Sequence, residues 1–172
     1  MIRRAIFWLL LAALIGLWAF SERLFPPEQV TAATARARDG DTLTLGNRTF
    51  RLEGIDAPEY RQTCNDGQGR DWPCGQAAGA QLEAMLLSGS IVCEVRAEDK
   101  YNRAVARCSS ATVPDLGEAM VAAGLAISPD ERGGALYEDA QDSARDAKRG
   151  IWQGEFATPQ VWREQNPRKD AP

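Results

Sequence analysis

The sequence predicts an α+β fold, a small β-barrel of about five strands with about three helices packed against it. Leu43 and Leu45 alternate with threonines ahead of Gly46-Asn47, which is the pattern of a strand entering a tight hairpin. Residues 75–88 carry apolar side chains at helical spacing and end before Gly89. Five strand patterns are interrupted by this helix and followed by two more helix patterns, as is typical of an α+β domain.

The N-terminal segment, residues 1–20, differs sharply from the rest of the chain. Met1-Ile2-Arg3-Arg4 is a basic start, and residues 5–20 carry no charge. This is the layout of a signal peptide or signal-anchor, and an uncleaved anchor is favoured because no small-x-small cleavage site follows directly. Since the arginines precede the apolar run, we expect the remainder to lie outside the cytoplasm, held at the membrane. If the signal is cleaved, the protein is secreted or periplasmic.

The other boundaries follow from turn and capping residues. Residues 21–33 hold paired prolines and show no clear period, which predicts a linker. Asp115 followed by Glu118 is typical of a helix start, and Gly124 predicts its end. The predicted strands cover residues 34–38, 41–46, 48–55, 90–97 and 103–109, and a last helix covers residues 135–149. One domain is therefore expected over residues 34–162, and a polar, loose tail over residues 163–172.

Four cysteines agree with an oxidising compartment. They permit three disulfide pairings, of which geometry favours one. Cys93 and Cys108 are equidistant from the centre of a predicted hairpin and can face each other across its strands, which leaves Cys64 and Cys74 to close a short loop. A zinc site of four thiolates is disfavoured because the sequence has no C-x2-C spacing.

Composition excludes several kinds of chemistry. The chain has no histidine, so imidazole acid–base catalysis and histidine-ligated zinc are ruled out. Its formal net charge is −4, which counts against tight binding of a polynucleotide through bulk positive charge. A phosphodiester substrate would have to be bound by locally placed cations or a bound metal ion.

Three short segments supply such groups. They are Asp39-Gly40-Asp41-Thr42, the run from Arg51 to Glu59, and Asp99-Lys100-Tyr101-Asn102-Arg103. Asp41 and Asp56 lie at successive strand ends that a hairpin brings together, and converging carboxylates suit Ca²⁺. Arginines donate paired hydrogen bonds to phosphate oxygens, which lysine does not do. Taken alone, the first segment is more typical of an ordinary turn, since aspartate and glycine favour turns.

In this order, the three segments resemble the active-site segments of the staphylococcal nuclease (thermonuclease) family. The similarity extends from about residue 34 to residue 152. The family fold is a five-stranded OB-type barrel with three helices, which agrees with the pattern described above. The resemblance implies a Ca²⁺-dependent nuclease that hydrolyses DNA or RNA and leaves 3′-phosphate ends.

The resemblance also implies a metal site. Asp41 and Asp56 would bind Ca²⁺ through their carboxylates, and the backbone carbonyl of Ala57 would be a further ligand. Family members commonly have threonine at this last position, and a backbone ligand should survive the change to alanine.

The other site residues contact substrate and water by the same resemblance. Arg51 and Arg103 would bind the scissile phosphate and offset the charge that develops on it. Glu59 would position or deprotonate the attacking water. Lys100 and Tyr101 resemble residues that contact the terminal phosphate of a bound nucleotide.

One segment departs from the family pattern. The best-known member has tyrosines after its second helix that stack on the substrate base, whereas residues 124–131 have no aromatic side chain. Stacking contributes about 1–3 kcal/mol per base, so weaker nucleotide binding is expected. Two other interpretations remain: a non-catalytic OB-type module that binds nucleic acid or protein, and a disulfide-stabilised envelope protein without a ligand. The sequence indicates no protein partner.

Overall fold

The computed structural model describes residues 2–24, 26–130 and 134–167. The N-terminal apolar segment forms helix α1, Ile2–Leu24. Within the described residues, no helix combines the length and the apolar character needed to span a membrane. The predictions for Glu131 and for residues 168–172 lie outside this part of the chain.

The centre of the domain is one curled, mixed sheet of six strands in the order β1-β7-β8-β4-β3-β2. All neighbouring strands are antiparallel except β4 and β8, which are parallel. The strands are β1 (Gln29–Ala32), β2 (Arg36–Ala37), β3 (Thr42–Leu45), β4 (Arg48–Leu52), β7 (Ile91–Glu98) and β8 (Ala104–Ser109).

The predicted five strands correspond to β2, β3, β4, β7 and β8. The sixth strand, β1, lies in the segment 21–33 that was predicted to be a linker, and that prediction is wrong for residues 29–32. β1 pairs with the edge of β7, and Val30 and Ala32 pack against the hydrophobic core. The strand is hard to recognise in the sequence because paired prolines precede it and its side chains alternate only between exposed and partly buried.

Within the described residues, four helices follow the N-terminal one, and three of them lie where helices were predicted. They are α2 (Cys74–Leu86), α3 (Leu116–Ala122), α4 (Glu138–Asp146) and α5 (Pro159–Gln165), with a 3₁₀ turn at Gly150–Gln153. Asp115 caps α3 as its sequence predicts, because its carboxylate accepts the amides of Gly117 and Glu118 at 2.9 and 3.1 Å. α4 is shorter than the predicted 135–149, and the chain turns at Lys148 and Gly150, both with positive φ.

The tail prediction is also corrected. α5 begins at Pro159 behind its cap residue Thr158 and runs to Gln165, so residues 163–165 belong to a helix. Pro159 is buried, which attaches the helix to the domain.

Both predicted disulfides are present. Cys93 and Cys108 are register partners across β7 and β8 and are bonded to each other. Cys64 is bonded to Cys74 and closes the loop between β4 and α2. This loop contains a small two-stranded ribbon, β5 (Cys64–Asn65) and β6 (Asp71–Trp72).

Candidate active site

Asp41 is buried at the start of β3 because the turn before it packs tightly. A Cβ placed on Gly40 would lie 2.6 Å from Cβ of Ala78 and 2.7 Å from Cβ of Ala57. Only glycine therefore lets this turn fit between α2 and the segment after β4. Asp39 completes the turn by accepting the Asp41 amide at 3.1 Å.

Asp56 follows β4 through a turn at Gly54, whose φ of 72° is in the left-handed region. The backbone of Asp56 then forms an antiparallel bridge with Ile127, with both N–H···O distances at 2.9 Å. The Asp56 carboxylate is buried beside that of Asp41. Strand β4 and the segment after α3 thus fix the second acid.

Arg51 joins the two acids. Its Nη1 donates to Oδ1 of Asp41 at 2.8 Å, and its Nη2 donates to Oδ1 of Asp56 at 2.9 Å. The same Nη2 also donates to the carbonyl of Ile55 at 3.2 Å. Register explains the first contact, since Arg51 on β4 pairs with Thr42 on β3 next to Asp41. One guanidinium therefore holds both predicted metal ligands.

The environment of Asp41 is unfavourable for its charge. The pKa of Asp41 is raised to about 6: burial raises it most and the neighbouring acids Asp39 and Asp56 raise it too, while Arg51 and the Ala57 amide lower it. That amide donates to Oδ2 of Asp41 at 3.1 Å. Burial opposes the charge of Arg51 too, but the two carboxylates outweigh it and raise the pKa of Arg51 above its ordinary value. The site is thus rich in negative charge that a cation relieves.

Glu59 is held at the edge of this cluster by its own backbone. Its amide donates to Oε1 of Gln62 at 3.2 Å, and its carbonyl accepts the Gln62 amide at 2.7 Å. α2 begins directly against this loop, because a Cβ placed on Gly75 would lie 1.8 Å from the Glu59 carbonyl oxygen. The side chain of Glu59 is 20% exposed, within reach of water.

The third predicted segment forms the turn between β7 and β8. Asp99 accepts the amides of Tyr101 and Arg103, and its Oδ2 accepts Nε of Arg103 at 2.7 Å. Lys100 and Arg103 both lie near the exposed ring of Tyr101, at 5.1 and 5.5 Å from its centroid. Arg103 thus precedes β8, whose Val105 pairs with Arg51 on the neighbouring strand.

The structure brings together Asp41, Arg51, Asp56, Ala57 and Glu59 as one cluster of hydrogen bonds and short chain connections. Lys100, Tyr101 and Arg103 form a second group at the hairpin turn, where the guanidinium of Arg103 is held by Asp99. The roles of both groups remain predictions.

Sequence reasoning missed a further member of the cluster, Arg163 on α5. Its Nη1 lies 3.0 Å from Oδ1 of Asp56 and 3.1 Å from Oε1 of Glu59, and its Nη2 lies 2.9 Å from Oδ2 of Asp56. The prediction placed Arg163 in the polar tail. The Thr158-Pro159 pair, a typical helix start, was the available signal that the fold continues there.

The segment after α3, predicted to lack a stacking surface, instead supports the site. Ile127 bridges Asp56, and Ala126 and Ser128 are buried. The hydroxyl of Ser128 donates to the carbonyl of Gly54 at 2.9 Å. Within its described residues 124–130, this segment therefore contributes backbone and small side chains that position Asp56.

Comparison with known proteins shows which family this sequence matches. Residues 49–154 match the model of a family described as Staphylococcal nuclease homologue. The matched range contains Arg51, Asp56, Glu59 and Arg103, whereas Asp41 and Arg163 lie outside it.

Individual relatives are similar over much of the chain. Succinoglycan biosynthesis protein ExoI from Rhizobium meliloti is 34% identical over 118 residues, which cover 68% of this chain and 62% of the relative. Probable endonuclease LCL3 from Schizophyllum commune is 31% identical over 118 residues, covering 59% of this chain and 39% of that protein. Probable endonuclease LCL3 from a strain of Saccharomyces cerevisiae is 33% identical over 122 residues, covering 64% and 43%. The chain thus spans less than two thirds of the length of these relatives.

Proposed function

This chain belongs to the staphylococcal nuclease family, whose domain is an OB-type fold, and on that premise we propose that it is a Ca²⁺-dependent nuclease. Two relatives named as probable endonucleases support a nuclease function. The proposed substrate is single-stranded DNA or RNA, cleaved at phosphodiester bonds to leave 3′-phosphate ends. The proposal rests chiefly on one observation: Arg51 bridges the buried acids Asp41 and Asp56 at 2.8 and 2.9 Å.

The ligands present fit a hard divalent cation in type. Asp41 and Asp56 would supply carboxylate oxygens and Ala57 a backbone carbonyl, and oxygen ligands are those that Ca²⁺ prefers. Within the described residues, no three His, Cys, Asp or Glu side chains are grouped as a metal site on their own. Water would therefore complete the coordination. When bound, the cation would supply positive charge against the charge that develops on the phosphate.

The arginines would bind and orient that phosphate. Arg51 presents two parallel N–H donors toward the acids, and the same fork geometry fits two phosphate oxygens. Arg103 would supply a second guanidinium from the β7–β8 turn once it leaves Asp99. Both guanidiniums would offset the negative charge that develops on the phosphate in the transition state.

Glu59 would accept a proton from the attacking water. Its backbone is fixed on both sides by Gln62, and its side chain is 20% exposed, so that a carboxylate oxygen can reach solvent. General-base assistance of this kind contributes about 10²–10⁴ in rate. Lys100 and the exposed Tyr101 would contact the terminal phosphate of the bound strand.

Location outside the cytoplasm belongs to the same proposal. Disulfides persist in oxidising compartments, and the domain has two, Cys64–Cys74 and Cys93–Cys108. The basic start and apolar run of residues 1–20 support export, with the segment either retained at the membrane or cleaved.

Cleavage of a labelled single-stranded DNA oligonucleotide tests the proposal. The purified full-length protein should degrade it with Ca²⁺ and stop on addition of chelator, and the products should carry 3′-phosphates. A double variant, Arg51→Ala with Glu59→Ala, is the control. Cleavage by the wild type no faster than by this variant would exclude the nuclease and leave the non-catalytic binding module.

A further inference from the structure

Arg163 places a positive charge, in addition to that of Arg51, against two acids of the site, Asp56 and Glu59. Its guanidinium donates to both oxygens of Asp56 and to Glu59, at distances of 2.9 to 3.1 Å. The contact links the C-terminal helix α5 to a metal ligand and to the proposed base, which lie 107 and 104 residues earlier in the chain.

The helix that carries Arg163 is attached to the loop that carries Glu59. Nε2 of the buried Gln62 donates to the carbonyl of Ala157 at 2.7 Å, just before α5 begins. Thr158 caps the helix, and the buried Pro159 fills its first position. Arg163 therefore reaches the site from a helix that is anchored to the domain, not from a loose tail.

These contacts use most of the acceptor positions of the acids. An ionised carboxylate has about four lone-pair positions. Asp56 accepts three hydrogen bonds, one from Arg51 and two from Arg163. Asp41 also accepts three, from Arg51, Thr42 and the Ala57 amide. About one such position is therefore left on Asp56, so a cation that coordinates this carboxylate competes with the guanidiniums of Arg51 and Arg163 for its oxygens.

Arg163 is easier to displace than Arg51. Its side chain is 40% exposed, compared with 23% for Arg51. Arg51 is also held by the carbonyl of Ile55 and lies within the sheet, so its removal from Asp56 would leave a buried backbone acceptor without that donor. Arg163 can turn toward solvent with its helix in place.

We propose that Arg163 is a built-in counter-cation, which occupies Asp56 and Glu59 until a divalent cation displaces it, and which thereby lowers the affinity of the site for that cation. The proposal rests on the proposed cation site of the nuclease. A guanidinium and a divalent cation compete for the same oxygens of Asp56. Release of Arg163 also breaks the hydrogen bond from its Nη1 to Oε1 of Glu59, so cation binding changes the contacts of the proposed base as well.

Direct measurement of Ca²⁺ binding by calorimetry tests the proposal on the full-length protein. Arg163→Ala should bind Ca²⁺ about tenfold or more tightly than the wild type, since it removes a competing charged hydrogen bond. Arg107→Ala is the matched control, because Arg107 is 42% exposed and pairs at 2.8 Å with a different acid, Glu53. It removes the same charge and should bind Ca²⁺ nearly as the wild type does.

Equal affinity in Arg163→Ala and Arg107→Ala would overturn the proposal, and weaker binding in Arg163→Ala would do so as well, since Arg163 would then orient Asp56 for the cation. Arg163→Lys retains a charge without the paired donors and should fall between wild type and Arg163→Ala, which keeps the test decisive if the alanine variant folds poorly. Absence of Ca²⁺ binding and of cleavage in the wild type would instead reject the proposed function. Wild-type binding that Arg163→Ala leaves unchanged rejects only this inference.

Discussion

The guanidinium of Arg51 lies 2.8 Å from the carboxylate of Asp41, ten residues earlier in the chain, and ties the end of β4 to the start of β3. The contact has a structural role and a proposed catalytic one. The side chains of Arg51 and Asp41 are 23% and 6% exposed, so water screens the ion pair only in part. Arg51 therefore stabilises the acids of the site, in addition to its proposed role of donating to a phosphate.

Arg51→Ala should destabilise the protein strongly in chelator. Asp41 and Asp56 would be left buried without their shared partner, a change that costs on the order of 3 kcal/mol in the free energy of unfolding. Ca²⁺ should recover part of the loss by replacing the missing positive charge. Urea denaturation with and without Ca²⁺ measures both effects, and an Arg51→Ala variant as stable as the wild type in chelator would contradict the structural role.

Gly75→Ala should disrupt the loop that carries Glu59. The added Cβ would lie 1.8 Å from the Glu59 carbonyl oxygen and 3.0 Å from the Tyr60 carbonyl carbon, both backbone atoms, so the loop or α2 must move. Lower thermal stability and loss of cleavage are expected. Gly79→Ala is the control in the same helix, because its added Cβ would lie 3.7 Å from Cα of Asp39, an ordinary contact. Its free energy of unfolding should rise by about 1 kcal/mol, since alanine has the higher helix propensity. Similar melting temperatures for the two variants would refute this packing argument.

The two disulfides should differ in their effect on activity. Each closes a short loop, of 10 and 15 residues, and removal of either should cost about 3 kcal/mol in the free energy of unfolding. Cys93→Ala with Cys108→Ala should retain cleavage, since the β-hairpin pairs these positions anyway. Cys64→Ala with Cys74→Ala should reduce cleavage, because Gln62 lies two residues before Cys64 and its carbonyl accepts the amide of Gly75, next to Cys74, at 3.2 Å. Equal activity of the two folded double variants would show that this loop does not position Glu59.

Tyr137 should make the fold sensitive to alkali. Burial raises the pKa of its hydroxyl above its ordinary value of about 10, and the adjacent Asp115, which accepts its hydrogen bond at 2.9 Å, raises it further. Because the folded-state pKa is the higher one, the resulting stability is present below about pH 10 and is lost as the pH rises from there toward the folded-state pKa.

Tyr137→Phe should therefore lower the free energy of unfolding by about 1–2 kcal/mol near pH 7, through loss of a hydrogen bond to a charged group. Above about pH 10, the difference from the wild type should shrink. Chemical denaturation across this pH range measures the difference, and one that stays constant to pH 11 would be inconsistent with a raised pKa at Tyr137.

Local patterns predicted much of the fold because the responsible contacts are close in sequence. Asp115 caps α3 by accepting amides that lie only two and three residues later in the chain. Cys93 is bonded to Cys108 across a hairpin whose turn, from Asp99 to Arg103, has five residues. β1 was missed because its partner is the edge of β7, about sixty residues later, and nothing local marks that pairing.

In the candidate site too, residues whose partners are close in sequence were predicted, and a residue whose partners are distant was not. Asp41, Asp56 and Glu59 were predicted to lie together from two short segments, because one hairpin and one turn connect them. Arg163 could not be predicted because its partners lie more than a hundred residues away and an arginine in a polar segment is typical of a solvated surface. Only the packing of α5 through Gln62 and Pro159 reveals it.

The rate of single-stranded DNA cleavage by Glu59→Gln, measured in Ca²⁺, tests the central claim most directly. Glutamine keeps the size of the side chain but cannot accept the proton of the attacking water, so the rate should fall about 10²–10⁴-fold while calorimetry shows that Ca²⁺ still binds. Glu164→Gln, an exposed change of the same charge on α5, should cleave as the wild type does. A Glu59→Gln variant as active as Glu164→Gln would contradict the site described.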